Sequence, residues 1–207
     1  MCGIVGQVCA GGAPISASAL AAMRDVLIHR GPDDAGLHVD GSVGLGARRL
    51  AIFDPTPAGH QPMSSRDGNL WIVFNGAIYN HVELAAELRA EGHGFVSRTD
   101  TEVLLHLYAR FGKECVHRLN GMFAFAIWNA RERTLFAARD RFGIKPFHYH
   151  HTAERFLFAS EAKALVQMDP TLARADHDDP APGKAAAGRT QGASRAASPA
   201  SRKRPLR

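Results

Sequence analysis

The chain has 207 residues, is 45% hydrophobic and 22% charged, and carries a formal net charge of +5. That length and apolar content suit one globular domain with a real core, or two small ones. No apolar run approaches the ~20 residues that span a bilayer, no basic-then-apolar leader opens the chain, and three cysteines without a C-x-x-C pair (Cys2, Cys9, Cys115) argue against a disulfide framework or zinc site and for a reducing, cytoplasmic setting.

In chain order, "CGIVGQV" reads as a strand and residues 16–29 as a helix, with Leu20, Met23 and Leu27 at helical spacing. "GSVGLGARRLAIFD" reads as one or two strands, and "NLWIVFNG" as a strand running into a turn at Asn75-Gly76. "NHVELAAELRAEG" has a helix signature, with Asn80 as cap, Glu83 three residues on and Gly92 at the end. Residues 101–111 form a further helix, entered through Asp100. "MFAFAIWNARERTLFAARD" is the clearest strand signal. Phe123, Phe125 and Ile127 line one face, Met122, Ala124, Ala126 and Trp128 the other, so both faces are apolar and both must be covered. "NARERT" is the hairpin turn after it, and "FHYHH" and "RFLFASE" supply two more strands. Short connections favour antiparallel pairing, and the mixture of strands and helices predicts a layered α+β sandwich.

The charge is unevenly placed. Residues 1–169 hold 17 basic and 17 acidic side chains, whereas residues 170–207 hold 8 and 3. From about residue 169 the sequence is mostly Ala, Pro, Gly, Ser and Arg, without Val, Ile, Phe or Met, which predicts a disordered basic tail over 169–207 after a domain spanning 2–168. The closing "RKRPLR" suits electrostatic contact with nucleic acid, but the plainer reading is a solvated tail. Translation out of frame is another source of such a segment.

Cys2 sits directly behind the initiator methionine. Removal of Met1 would leave a thiol nucleophile and a free α-amine, of ordinary pKa ~7.7–8.0, on one residue. At neutral pH such an amine acts as a general base, so no histidine partner is needed. The bland alternative is a small buried hydrophobe.

The segments "MCGIVG", "RGPDDAG", "RRLAIFD", "GHQPM", "FNGAIYN", "RTDTEVLL", "LNGMFAFAIWN", "RDRFGIKPFHY" and "FASEAKAL" occur in that order. Together they resemble the glutaminase domain of the glutamine-hydrolysing asparagine synthetases, and more broadly class II glutamine amidotransferases of the N-terminal-nucleophile hydrolase type. The resemblance covers essentially residues 2–168. It implies a four-layer αββα sandwich of antiparallel sheets, L-glutamine as substrate, and hydrolysis to glutamate and ammonia through a thioester on Cys2.

The resemblance also implies roles. Arg49 matches the residue that grips the substrate α-carboxylate, a task suited to a guanidinium fork, although an ordinary strand arginine is the alternative. Arg48 should point to the opposite face. Leu50, Ala51, Ile52 and Phe53 match the strand that shapes the pocket through its backbone, with core packing as the plain role of their side chains. The Asn75 amide and Gly76 N–H match an oxyanion hole, where a hairpin turn is the commonest meaning of Asn-Gly. Asp100 matches the acid that pairs with the substrate α-ammonium, and suits a helix N-cap equally well. Ala77 departs from the family pattern N-G-E-I-Y-N, where glutamate helps hold the substrate's amino end; weaker glutamine binding with retained chemistry is the expectation. His148 and His150 alternate on one strand but lack an acidic or cysteine partner, so no metal is expected.

The S-G-G-x-D-S type of pyrophosphate loop that serves an ATP-dependent synthetase domain does not occur in the sequence. ATP and magnesium are therefore expected only with a synthetase domain that this chain lacks, and no cofactor is expected here. A glutaminase subunit acting on a synthetase in trans, a truncated fragment that is catalytically silent, and a non-catalytic binding module all fit that absence. Neither a membrane nor nucleic acid is an expected partner.

Overall fold

The computed structural model describes residues 1–173. In chain order its elements are β1 (Gly3–Cys9), α1 (Ala17–Asp25), β2 (Asp34–Asp40), β3 (Val43–Arg49), β4 (Met63–Ser64), β5 (Leu70–Ile78), α2 (His81–Ala90), α3 (Asp100–Phe111), β6 (Gly121–Asn129), β7 (Thr134–Arg139), β8 (His148–His151), β9 (Arg155–Ala159) and α4 (Ala162–Met168). Among these residues the strands form two antiparallel sheets, ordered β2-β3-β1-β9-β8 and β4-β5-β6-β7.

Side-chain alternation divides the core into three layers between four. Ile4, Val43, Leu45, Ala47 and Phe158 of the first sheet meet Val73, Ala124, Ala126 and Trp128 of the second. On the outer face of the first sheet, Val5, Leu157 and Ala159 pack under Leu20, Met23 and Leu27 of the α1 segment and Ala164 and Leu165 of α4. On the outer face of the second, Ile72, Phe74, Phe125 and Ile127 pack under Leu84 and Leu88 of α2 and Leu104 and Leu107 of α3. The result is the expected αββα sandwich. The two faces predicted for β6 are the two it presents, one to the helices and one to the other sheet. At one end of the gap between the sheets, Trp128 Nε1 donates to Asp40 Oδ2 at 2.9 Å.

Several local expectations need correction. Asn75 and Gly76 do not form a turn: β5 runs through them to Ile78, with Asn75 opposite Ala124 and Gly76 opposite Phe123. Gly76 is there for space, since a Cβ would lie 2.5 Å from the Met122 carbonyl oxygen and 2.9 Å from Phe123 Cα. The strand expected to continue through Leu50, Ala51, Ile52 and Phe53 stops at Arg49, and these four residues form a loop. Core packing does not describe the loop's tip either, because Ile52 is 71% exposed and Phe53 41%. β2 and the two-residue β4 were not anticipated.

Asn80 stands at the start of α2, yet its side chain does not cap it. Instead its amide donates to the Arg118 carbonyl and its oxygen accepts from Asn120 N–H. Thr99 caps α3, with its hydroxyl accepting from Glu102 N–H, so Asp100 is the first helical residue and not the cap. Order also extends past residue 168. Asp169 N–H reaches the Leu165 carbonyl, residues Pro170–Ala173 make a short 3-10 turn, and Leu172 packs with the α1/α4 layer. The remainder of the tail expected over 169–207 lies outside the described residues. No helix among the described residues is long and apolar enough to cross a membrane.

Candidate active site

The nucleophile candidate is placed by the first strand. Cys2 directly precedes β1, and its thiol points toward the Leu50 carbonyl, 3.8 Å away, just past the end of β3. Ile4 belongs to the inter-sheet layer, so Cys2, two residues before it, faces the same gap. The backbone here is held from several sides. Ser160, wholly buried, accepts Ile4 N–H on its hydroxyl at 3.0 Å and returns its own N–H to the Ile4 carbonyl at 2.8 Å. Arg30 Nε donates to the Cys2 carbonyl at 3.0 Å.

Arg30 is itself fixed by Glu161, whose Oε1 accepts from its guanidinium at 2.9 Å and from His29 at the same distance. Burial on its own would raise the Glu161 carboxyl, but the hydrogen bonds from Arg30, His29 and Lys163 outweigh it and hold it down at about 2.

The same alternation rule brings other predicted residues to this end of the gap. Val73 lies in the inter-sheet layer, so Asn75 and Ala77 face it too; Ala47 does, so Arg49 follows. Asn75 is 1% exposed, and its Nδ2 has no hydrogen-bond partner. A buried amide donor without a partner costs of order 1–3 kcal/mol.

Asp100 is buried at the end of β5, where its Oδ2 accepts Ile78 N–H at 2.9 Å. Burial pushes its carboxyl above the ordinary carboxylate value, against the opposing pull of that N–H and of His81.

Arg49 sits where expected, but with a task already assigned. Its buried guanidinium donates to the carbonyls of Phe53 at 2.8 Å, Asp54 at 2.5 Å and Thr56 at 3.4 Å. It thereby folds residues 50–56 around itself. Gly59 leaves room for it, since a Cβ there would stand 2.0 Å from Nη2 and force the guanidinium to shift. The loop is tied further by Asp33, which accepts Ala51 N–H at 2.8 Å, and by Asp54, which accepts Arg98 N–H at 2.9 Å. Arg48 points the other way, to the Gly31 carbonyl and Asp25. Arg30, Lys145, Ser160 and Glu161 around the start of β1 were not singled out from sequence; they were visible there only as letters inside "RGPDDAG", "RDRFGIKPFHY" and "FASEAKAL". Among the described residues no cluster of three or more histidine, cysteine or acidic side chains is arranged to hold a metal.

Comparison with known proteins follows this geometry closely. Residues 1–181 match the family described as a glutamine amidotransferase domain. Asparagine synthetase (glutamine-hydrolysing) 1 of Bacillus subtilis is 48% identical over 144 residues, covering 70% of this chain and 23% of that protein. The Zea mays asparagine synthetase (glutamine-hydrolysing) is 44% identical over 140 residues, covering 67% of this chain and again 23% of the relative. The chain thus spans about a quarter of the length of these relatives. Among solved structures, the B. subtilis glutamine phosphoribosylpyrophosphate amidotransferase superposes with a TM-score of 0.69 over 80% of this chain and 43% of its own, at 23% identity, and so shares the fold. With a family match that runs through the whole of the described fold, one assignment is left: the chain belongs to the glutamine amidotransferase domain family.

Proposed function

We propose that this domain hydrolyses L-glutamine to glutamate and ammonia, with Cys2 as nucleophile once Met1 has been removed. The observation that carries the reading is the Asn75 amide, buried, unpartnered and facing the gap that Cys2 enters. In this reading the α-amine of Cys2 takes the thiol proton as Sγ attacks the side-chain carbonyl carbon of glutamine. The oxygen becomes an oxyanion, received by Asn75 Nδ2 and Gly76 N–H. The C–N bond then breaks, the amine returns its proton to the leaving nitrogen, and ammonia departs from a γ-glutamyl thioester. Water, deprotonated by the same amine, attacks the thioester, and glutamate leaves with the thiol restored. The division replaces one difficult step by two easier ones.

Substrate recognition falls to charged ends. The Asp100 carboxylate suits the substrate α-ammonium. Arg49 suits the α-carboxylate, and its three carbonyl partners mean that glutamine would share or displace contacts with residues 53–56. The backbone of Leu50, Ala51, Ile52 and Phe53 would then form a wall of the pocket, with the Leu50 carbonyl already beside Cys2. The ammonia is destined, by likeness to the longer relatives, for a synthetase activity that uses ATP and magnesium outside this chain.

Mass spectrometry of the N-terminus combined with an ammonia-release assay tests the reading. The expected result is a mature protein beginning at Cys2, active on glutamine, and silent as Cys2→Ala. Asn75→Ala should lower turnover by about 10²–10³ while leaving the melting temperature unchanged or raised, because it removes a buried unpaired donor. Retention of Met1, or equal ammonia release from Cys2→Ala, would favour a silent binding module instead.

A further inference from the structure

The segment "GHQPM", residues 59–63, takes no part in the reaction as described, yet its glutamine is built into the fold. Gln61 is 5% exposed, and its amide is engaged at both ends. Oε1 accepts Phe74 N–H of β5 at 2.7 Å, and Nε2 donates to the Thr101 hydroxyl, in the first turn of α3, at 3.3 Å. Asp100, beside Thr101, accepts Ile78 N–H of the same strand at 2.9 Å.

Strand parity places these two bonds on one edge. β5 pairs with β6 without interruption from Leu70 to Ile78, and just beyond it Tyr79 N–H reaches the Asn120 carbonyl on the β6 side. The backbone groups of odd-numbered residues thus face β6, and those of even-numbered residues face away, as the bonds between Leu70 and Ser65 also show. On that far edge β4 pairs only with Trp71 and Ile72. Past it, Phe74 N–H is met by Gln61 and Ile78 N–H by Asp100. Gly76 N–H lies between them, on the same open edge, and among the described residues no acceptor takes it.

We propose that Gln61 is a positioning residue for the oxyanion: with Asp100 it braces the open edge of β5 on both sides of Gly76, and so fixes where the Gly76 N–H points. The inference rests on the reading of Gly76 N–H and the Asn75 amide as the two oxyanion donors. Such donors serve only when both are aimed in advance at the place the oxyanion will occupy. Glycine has the most permissive backbone of any residue, and no strand pairs with this edge at Gly76. The direction of its N–H is therefore inherited from the peptides on either side. Both anchors lead to the first turn of α3, Asp100 directly and Thr101 through Gln61. The turn that offers a carboxylate to the substrate α-ammonium in this reading thereby also aims a donor at the other end of the substrate.

The test compares the processed full chain as wild type, Gln61→Met and Thr101→Val. Methionine keeps the length of glutamine without its acceptor, and Thr101→Val keeps the acceptor but removes the hydroxyl that steadies it. In Gln61→Met, kcat for glutamine hydrolysis should fall about tenfold, a part of the roughly 10²–10³ that loss of a whole donor costs, with KM within about twofold of wild type. L-glutamate γ-semialdehyde reads the same donors without turnover, because its carbonyl carbon takes the Cys2 sulfur while its oxygen takes the thiol proton. Its binding should weaken by about the same factor as kcat, while L-glutamate binds as in wild type. An unchanged kcat overturns the proposal whatever happens to the melting temperature, since a purely structural glutamine would move only the latter. A fall in kcat with aldehyde binding unmoved overturns it too, as does a loss that L-glutamate binding shares, which would put the effect at the α-end of the substrate. If Gln61→Met does not fold, Thr101→Val decides by the same measurements: a fall in kcat of about threefold with L-glutamate binding held supports the proposal, and an unchanged kcat overturns it. A wild-type protein with a free Cys2 that releases no ammonia would instead overturn the underlying reaction, which keeps the two failures distinct.

Discussion

At the scale of single residues, Ala77 is where the chain departs from the family pattern beside the proposed substrate site. It lies on β5 two residues beyond Asn75, half-buried and opposite Met122, and faces the same gap. Where the family pattern has glutamate, this chain offers a methyl group that cannot accept a hydrogen bond. A charge-assisted hydrogen bond is worth about 1.5–3 kcal/mol, which corresponds to roughly ten- to a hundredfold in binding. Ala77→Glu should therefore lower KM for glutamine by about that factor, with kcat little changed, since the change adds a contact to the substrate's amino end and none to the reacting carbonyl. Steady-state kinetics on the two proteins check this; an unchanged KM would mean that Asp100 alone carries the ammonium. The roles proposed for Asn75 and Asp100 come from family likeness alone. Their local signals pointed elsewhere, to a turn and to a cap, because short-range pattern is blind to what a strand end meets across the fold.

At the scale of elements, strong periodicity was read well and weak periodicity poorly. β6 was plain because all seven residues from Met122 to Trp128 are apolar, on both faces. β2, "DAGLHVD", was invisible: it is an edge strand of mixed burial, with glycine, histidine and aspartate where β-formers would mark it. The apolar letters of residues 50–53 suggested more strand, but the Arg49 guanidinium collects the carbonyls that a ladder would have used. The link between α4 and the segment after α1 was likewise unreadable, although it contributes to acid stability. Glu161, the residue before α4, is held down at about 2 by Arg30, His29 and Lys163, from an ordinary 4.5. In that interval the unfolded chain binds the proton and the folded one does not, so stability rises with pH. The contribution is complete above about pH 4.5 and is lost as the pH falls toward 2. Glu161→Gln should melt below wild type at pH 7, with the gap closing between pH 4.5 and 2.5; a gap that is constant with pH would assign the difference to packing instead.

At the scale of the whole molecule, the decisive contact joins the two ends of the domain. β1 is the centre of its sheet, flanked by β3 on one side and by β9 on the other, about 150 residues later in the chain. Each strand was legible; their partnership was not, because period-2 alternation specifies a face and leaves the neighbour open. Yet β9 completes both layers that touch β1. Phe158 fills the gap between the sheets, Leu157 and Ala159 lie under α1, and Ser160 clamps Ile4 two residues from Cys2. Loss of a buried phenylalanine alone costs about 3–5 kcal/mol, against a total stability of about 5–15 kcal/mol for a domain. Removing β9 with α4 takes away that residue, four other buried apolar side chains and half the ladder of β1. A chain ending at residue 152 should therefore fail to fold, and its Cys2 should react with thiol reagents as fast as in denaturant. A chain ending at residue 173 retains all four layers and should melt with the full chain and release ammonia at the same rate. Circular dichroism melts and the glutaminase assay on the two truncations separate these outcomes. Equal stability of both would show that the second sheet, with α2 and α3, folds without the closure of the first, and that β1 is held by β3 alone.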